Sequence, residues 1–307
     1  MKVSPLFRAV VGAVSLVVSG PALAGLKTVK VTDTVYALVG DKGQRSPENY
    51  ANNATFGVVV TEDGVVLVDA GGSYKGAEEI EAAIEAITDQ PVKVVIDSGG
   101  QDHRWLGNSY WAARGARLIA SEAAVEDQKA RASMEQTMLS QLIGDSLKGT
   151  EPVYAQETFA EDLTLFVGGR EIRIVHAGPA HTPGDSFVWL SDDKVVFAGD
   201  IVFTERLLGV LEVSNSAGWM ASFEAIEALD PVHVVPGHGD PTTLAKAKAD
   251  TYDYLANLRD KIRAHIDDGG DIIGSVDVDQ SAFSHLENFD TLAKRNAQKV
   301  FTEMEWE

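Results

Sequence analysis

The fold is decided by a short apolar strand that runs directly into a glycine and a carboxylate, Val195-Val196-Phe197-Ala198-Gly199-Asp200. The same arrangement of apolar strand and polar loop recurs at three other places, where the loops carry His103, His181 and His238. Ligand sites of α/β sheets lie beyond the carboxyl ends of strands, where a rigid base supports variable loops. Imidazoles and carboxylates in four such loops therefore predict a metal site at one edge of a sheet.

Outside these loops the hydrophobic pattern alternates between strands and helices. Apolar runs on either side of Glu62-Asp63-Gly64 predict a hairpin. Two successive halves of mixed β and α pattern predict an α/β domain with sheets inside and helices outside. The other predicted strands are 28–39, 92–96, 163–167, 172–176, 187–190, 195–198 and 232–235, and the predicted helices are 76–87, 104–114, 121–146, 217–229, 241–266 and 288–303.

Composition excludes several classes of function. The 307 residues carry a formal charge of −20, from 46 acidic and 26 basic side chains. Such a surface repels phosphate backbones and anionic lipids, so we expect neither nucleic acid nor a membrane surface as a partner. The chain contains no cysteine, which excludes disulfides, thiolate nucleophiles and cysteine-based metal sites. We expect a small-molecule substrate, and the sequence leaves the oligomeric state open.

The N-terminus has the pattern of an export signal. Lys2 and Arg8 precede the apolar run 9–18, and Ala22-Leu23-Ala24 offers small residues for cleavage. The apolar run is about half of the ~20 residues needed to span a bilayer, so no membrane anchor is predicted. We expect residues 1–24 to be a signal peptide that directs the protein to the periplasm or outside the cell. Residues 25–307 are expected to form a single domain with a helical C-terminal extension from about residue 245.

Three motifs resemble successive motifs of the metallo-β-lactamase superfamily, and they occur in the same order. They are His181-Thr182-Pro183-Gly184-Asp185, Phe197-Ala198-Gly199-Asp200 and Pro236-Gly237-His238-Gly239. Residues 53–71 resemble the N-terminal strands of that superfamily, and the resemblance covers about residues 30–245. It implies a four-layer αββα sandwich with a metal site at one edge of the two central sheets.

One motif of the superfamily, His-x-His-x-Asp-His, is altered here. The window reads Ser98-Gly99-Gly100-Gln101-Asp102-His103, so both leading histidines are replaced. The resemblance then implies a first metal site reduced to His181 and the shared Asp200. The second site is implied to keep all its ligands, Asp102, His103, Asp200 and His238. We therefore expect one metal ion per chain, Zn²⁺ by default with Mn²⁺ or Fe²⁺ also suited, and His181 as a further candidate ligand.

The expected activity is that of an exported metallo-hydrolase, in which one metal ion activates water against a small electrophile. Esters, thioesters, lactones, amides and aryl halides all fit this chemistry. The implied ligand set is also similar to that of the chlorothalonil hydrolytic dehalogenases, which makes hydrolytic dehalogenation an alternative. Two further alternatives are a metal-free binding or accessory protein on the same fold and a redox enzyme with iron in this site. Metal content and metal identity separate these alternatives.

Individual roles follow from that hypothesis. We expect His181 to donate a proton or bind an oxyanion, Ser98 to hydrogen-bond water or substrate, and Asp102 to belong to the catalytic set. Gly99-Gly100 are expected to leave open space where two imidazoles would otherwise stand. The candidate substrate contacts are Trp105, Asn215 and Trp219.

Overall fold

The computed structural model describes residues 25–307, and two β-sheets form its centre. The first sheet has seven strands in chain order, and the second has five strands in the order β12-β11-β10-β9-β8. The strands are β1 (Lys27–Lys30), β2 (Val35–Val39), β3 (Thr55–Thr61), β4 (Gly64–Val68), β5 (Val92–Asp97), β6 (Arg117–Ser121), β7 (Glu157–Phe159), β8 (Asp162–Val167), β9 (Arg170–Val175), β10 (Phe187–Leu190), β11 (Val195–Phe197) and β12 (His233–Val235).

Helices cover the outer faces of both sheets. A π-helical segment, Lys248–Tyr252, joins the sixth helix to the seventh. The helices are α1 (Tyr74–Glu85), α2 (Asp102–Trp105), α3 (Asn108–Ala113), α4 (Glu122–Ile143), α5 (Ser216–Glu227), α6 (Leu244–Ala247), α7 (Asp253–Asp267) and α8 (Phe289–Met304).

The two sheets pack face to face through branched apolar side chains. Val59 and Val66 of the first sheet share one buried cluster with Ile174 and Val188 of the second. Gly57 marks a point of close approach, because a Cβ there would lie 2.4 Å from the ring of Phe197. Burial on both faces explains why the central strands are almost continuously apolar.

Each sheet has a separate apolar interface with its helices. Ile80 of α1 packs in a cluster with Leu67 of the first sheet. Phe223 of α5, Leu258 of α7 and Val300 of α8 pack in a cluster that includes the second sheet. The result is the predicted four-layer αββα sandwich, and α6 to α8, from Leu244 onward, belong to the outer layer of the second sheet.

Most local predictions agree with the structure, with some exceptions. The strand predicted over 28–39 is instead two strands, β1 and β2, which pair antiparallel. The β3–β4 hairpin and α1 form as predicted, and Ser73 caps α1 by accepting a hydrogen bond from Gly76 N. The helix predicted over 104–114 is instead two short helices, α2 and α3. Gly107 N donates to Gly71 O at 2.8 Å, outside the helix, and a Cβ at Gly107 would lie 2.0 Å from Ala70 O, so this backbone contact separates the two helices. β6 and β7 were not among the predicted strands.

The predicted signal peptide, residues 1–24, lies outside the described residues. Within residues 25–307 we find no helix with both the length and the apolar character needed to cross a bilayer.

Candidate metal centre

The loops that carry the predicted ligands meet at one edge of the two sheets. β11 and β12 run parallel, so the segments that follow them leave the second sheet on the same side. Asp200 follows β11, His238 follows β12, and His103 lies on α2 beyond the loop after β5. Gly199 permits the close approach of two of these loops, because its φ is +49° and a Cβ would lie 2.3 Å from Ser98 Oγ. The fold therefore brings residues from both sheets to one place.

Three side chains, His103, Asp200 and His238, each place a donor atom within 4.8 Å of the others. His103 Nε2 lies 3.3 Å from Asp200 Oδ2, and His238 Nε2 lies 3.2 Å from Asp200 Oδ1. All three residues are buried. His103 Nε2 has no hydrogen-bond partner among the residues that the structure describes. A buried, unpartnered nitrogen beside a carboxylate and a second imidazole fits a metal ligand.

The ionisation of these groups also fits ligation, which needs an ionised carboxylate and neutral imidazoles. Burial raises the pKa of Asp200, but Arg104 and His103 together hold that pKa well below its ordinary range. Burial and the neighbouring Arg206 keep the pKa of His238 well below its ordinary value, so this imidazole is neutral at pH 7. Two imidazoles and one carboxylate suit Zn²⁺, Mn²⁺ and Fe²⁺ alike. The residues present therefore fit a metal ion.

A buried arginine that the sequence analysis did not single out supports Asp200. Arg104 is fully buried and donates hydrogen bonds to Asp200 and, from Nη1 at 2.7 Å, to Asp69 Oδ2. Asp69 in turn accepts a hydrogen bond from Ser98 N at 2.8 Å. Outer partners of this kind orient ligating carboxylates. No sequence signal distinguished Arg104 from an ordinary exposed arginine next to His103.

Asp102, predicted as the fourth ligand and as a catalytic group, does not join the group of three. Arg45, in the loop after β2, donates from Nε to Asp102 Oδ2 at 2.6 Å, and its Nη2 contacts Oδ1 of the same carboxylate. Burial raises the pKa of Asp102, but Arg45 and His103 lower it far below its ordinary range. Asp102 is thus an ionised carboxylate paired with an arginine, and three of the four predicted ligands come together.

The two altered positions of the His-x-His-x-Asp-His motif are enclosed by other parts of the chain. A Cβ at Gly100 would lie 1.9 Å from Asp127 Oδ2. Arg131 of α4 donates from Nη2 to Gly100 O at 2.8 Å and to Asp127 Oδ2 at 2.6 Å. Ser98 is fully buried, and its Oγ has no partner within residues 25–307. The open space expected at Gly99-Gly100 is therefore not there, because side chains of α4 fill it at Gly100 and Asp185 fills it at Gly99, where a Cβ would lie 2.3 Å from Asp185 Oδ1.

His181 lies in an aromatic wall beside the centre. Its ring centroid is 5.2 Å from that of Trp219 and 5.5 Å from that of Phe203. Its Nδ1 is buried and unpartnered in the described part of the chain. Burial lowers the pKa of His181 to about 4, although the charge of Asp200 opposes this shift. The imidazole of His181 is therefore neutral at pH 7, which does not suit the expected role as a proton donor.

The three candidate substrate contacts have different surroundings. Trp219 is fully buried and its ring contacts His181, so it forms part of the wall of the site. Trp105 is also fully buried and stacks on a tyrosine ring at 5.2 Å. Asn215 caps α5 by accepting a hydrogen bond from Gly218 N at 2.6 Å. In this structure Trp105 packs and Asn215 caps, which are structural roles.

Comparison with known protein families agrees with the fold. The family model described as the metallo-beta-lactamase superfamily matches residues 50–238. This segment is more than half of the chain and contains His103, Asp200 and His238. The chain therefore belongs to the metallo-β-lactamase superfamily.

Two curated relatives are more distant. A linear primary-alkylsulfatase from Pseudomonas sp. (strain ATCC 19151) is 20% identical over 219 residues, which are 61% of this chain and 41% of that protein. The alpha subunit of a 2,4-dinitroanisole O-demethylase from Nocardioides sp. (strain JS1661) is 23% identical over 180 residues, 58% of this chain and 50% of that subunit. The chain thus spans half or less of the length of these relatives.

Solved structures show the same fold. A metallo-beta-lactamase from Pontibacter korlensis has a TM-score of 0.59 and 22% identity, and the match covers 76% of this chain and 99% of that one. A double mutant of the sec-alkyl sulfatase PisA1 has a TM-score of 0.72 and 14% identity, covering 90% of this chain and 50% of that one. At these identities the likeness concerns the fold.

Proposed function

We propose that the chain is a metal-dependent hydrolase with one metal ion per chain, held by His103, Asp200 and His238. The observation that carries the proposal is the convergence of these buried ligands with His103 Nε2 left unpartnered. Three protein ligands leave coordination positions for water and substrate, as in catalytic zinc sites. A metal ion bound there would activate water near neutral pH and polarise the bond to be broken. Export and cleavage near Ala24 are part of the proposal and rest on the N-terminal sequence.

The surroundings of Gly100 support a single metal ion. The volume that a histidine would need at this position holds the Asp127 carboxylate and the Arg131 guanidinium. Arg131 also donates to Glu135 Oε1 at 2.6 Å, so its charge is fixed at this place. Because a guanidinium only donates hydrogen bonds, it cannot ligate a cation. A first metal site would then have only His181 and the shared Asp200 as protein ligands.

Two polar atoms remain for the substrate. His181 is neutral, so its N–H acts as a hydrogen-bond donor toward charge that develops on the substrate rather than as an acid. Ser98 Oγ is buried and unpartnered beside Gly199, and we assign it a hydrogen bond to the attacking water or to the substrate.

The substrate class is a small molecule with an electrophilic centre and a good leaving group. Esters, thioesters, lactones, amides and aryl halides remain in this class. The names of the curated relatives add sulfate esters and an aryl methyl ether to the chemistry to be tested.

The first experiment is metal content by elemental mass spectrometry. Mature protein purified without chelator is compared with His238→Ala and with His285→Ala, whose imidazole is exposed. We expect about one metal ion per chain in the wild type and in His285→Ala, and almost none in His238→Ala, because catalytic sites need about three protein ligands. Two ions per chain would overturn the single-metal proposal. No metal after incubation with Zn²⁺, Mn²⁺ or Fe²⁺ would overturn metal-dependent hydrolysis and favour a metal-free binding protein.

The same preparations are then tested for hydrolysis of p-nitrophenyl acetate, p-nitrophenyl sulfate and an activated aryl chloride. Turnover is expected to follow bound metal across the three proteins. Turnover that persists in His238→Ala would show that the activity comes from elsewhere.

A further inference from the structure

Arg206 is a largely buried guanidinium without an acidic partner. Its Nε is buried and has no hydrogen-bond partner, and no carboxylate oxygen lies within 4.0 Å of its nitrogens in residues 25–307. Its one polar contact in this part of the chain is from Nη1 to His238 Nδ1, at 3.4 Å. The other arginines near the centre differ, because Arg45, Arg104 and Arg131 each have a carboxylate partner. Arg206 is therefore the unpaired cation of this group.

The backbone around Arg206 is fixed. Thr204 N donates to His238 O at 2.9 Å, and Leu207 N donates to Glu287 O at 2.8 Å. Glu287 N donates to Glu205 O at 3.0 Å, which closes the other side of this contact. The segment after β11 thus places the guanidinium beside His238 by hydrogen bonds on both sides, and not through a free loop.

The contact with His238 does not satisfy Arg206. The ring nitrogen of a ligating histidine that faces away from the metal normally donates to a carboxylate or a carbonyl. When His238 binds a metal through Nε2, its Nδ1 carries the proton, and a guanidinium has no acceptor to offer. Two N–H groups then face each other with no acceptor between them in the described chain. Such a pair needs an oxygen atom from outside.

The charged groups near Arg206 leave its guanidinium without a paired anion. Arg45 also lies near the centre, with Nη2 3.1 Å from His103 Nδ1. Asp102 pairs with Arg45 and Asp200 pairs with Arg104, so neither carboxylate forms an ion pair with Arg206.

We propose that Arg206 binds an oxyanion group of the substrate, a sulfate, phosphate or carboxylate, next to His238. The proposal rests on the proposed hydrolase function and narrows its substrates to anionic molecules. Guanidinium groups suit such oxyanions because two N–H groups donate in parallel. Arg206 is then a substrate-binding residue.

The test is a titration of metal-loaded protein with sodium sulfate, sodium phosphate and sodium acetate at constant ionic strength, followed by calorimetry. The variants are Arg206→Gln, Arg206→Lys and the control Arg117→Gln, whose side chain is half-exposed at the opposite end of the strands. We expect affinity for at least one of the anions to fall about tenfold or more in Arg206→Gln, as for the loss of hydrogen bonds to a charged group. Arg206→Lys keeps the charge and should retain part of the affinity, whereas Arg117→Gln should match the wild type.

The proposal would be overturned if the wild type bound none of the three anions. It would also be overturned if the wild type and Arg206→Gln bound all three with equal affinity. If Arg206→Gln does not fold, an unchanged affinity in Arg206→Lys for every anion would overturn the two-donor geometry. Metal content measured on the same samples separates the two hypotheses. A wild-type protein that contains no metal but binds sulfate would contradict the proposed hydrolase function and would leave the proposed anion site at Arg206 in place. As a second measurement, Arg206→Gln should raise KM for p-nitrophenyl sulfate by a larger factor than KM for the neutral p-nitrophenyl acetate.

Discussion

Arg104 donates two hydrogen bonds to the Asp200 carboxylate, from Nη2 to Oδ1 at 2.6 Å and from Nε to Oδ2 at 3.1 Å. Its remaining donors reach Asp69 Oδ2, Thr55 O and Gly237 O. One buried guanidinium therefore connects the start of β3, the end of β4 and the loops after β11 and β12. It fixes the Asp200 carboxylate and joins the two sheets at the edge where the proposed metal centre lies.

Replacing Arg104 with methionine should strongly destabilise the protein. The change leaves Asp69 and Asp200 buried without their cation, and breaking such a pair costs about 3–5 kcal/mol. The free energy of unfolding from urea denaturation measures the effect. The control is Arg117→Met, which removes a partly exposed pair with Glu157 and should cost less than about 1 kcal/mol. An equal loss in the free energy of unfolding in both variants would show that the buried hydrogen bonds of Arg104 stabilise the protein no more than a surface ion pair.

Asp102→Asn should keep its metal ion. Because the Asp102 carboxylate is paired with Arg45 and contacts His103 from outside the group of three, its neutral amide should weaken metal affinity by about 10–100-fold without abolishing binding, as for outer partners. Titration of chelator-treated protein with Zn²⁺ measures this affinity. Loss of the metal as complete as in His238→Ala would instead identify Asp102 as a ligand, as the family motif implies.

The residues of the proposed metal centre that follow strand ends could be picked out in the sequence because their signal is local. Asp200 and His238 directly follow apolar strands with glycine nearby, and this pattern can be recognised without a structure. The arginines were not predictable, because their partners lie far away in the chain. Arg104 is 96 residues from Asp200, and Arg45 is 57 residues from Asp102. Only the packed fold shows which of many arginines become buried.

The fold could be predicted from the hydrophobic pattern and the motifs. The errors in that prediction come from tertiary contacts. The break between α2 and α3 depends on the contact of Gly107 with Ala70, which helical periodicity does not report. The space beside Gly100 is filled by Asp127, which follows 27 residues later on α4. The altered motif is therefore visible in the sequence, but the side chains that occupy the space of its missing histidines are not.

Gly100→Ala should destabilise the protein by about 1–3 kcal/mol, as for a group forced into a packed interior. The added methyl group would meet Asp127 Oδ2, which Arg131 holds in place, so the pair cannot move freely. Gly209→Ala is the matched control, because a Cβ there has an ordinary contact with Leu292 at 3.9 Å. Thermal unfolding should separate the two variants. A Gly100→Ala protein as stable as Gly209→Ala would show that the position is open.

Glu135 should make stability fall as pH rises from about 5 to 8. Burial raises the pKa of Glu135 to about 8, and the charge of Asp102 adds to this, whereas the unfolded side chain titrates at its ordinary lower pKa. The unfolded state therefore loses this proton first, so the stabilisation is complete below the unfolded pKa and is lost as pH rises through about 8.

Denaturation of the wild type and Glu135→Gln at several pH values measures this contribution of Glu135. The difference in free energy of unfolding between the two proteins should change in favour of Glu135→Gln as pH rises. Glu126→Gln, an exposed change on the same helix, should show no such trend. A constant difference for Glu135→Gln would contradict the raised pKa.

His181→Gln should separate chemistry from metal binding. Its neutral imidazole faces the centre with an unpartnered nitrogen, and we expect its loss to lower kcat by about 100-fold, the range for one donor to developing charge. Metal content should stay at the wild-type value, because His181 lies outside the group of three ligands. The pH profile of kcat should lack an inflection from His181 near pH 6.5, since burial lowers its pKa to about 4. His285→Gln serves as the control. Unchanged kcat with full metal would remove His181 from the mechanism, and lost metal would make it a ligand, so each outcome assigns the residue a different role.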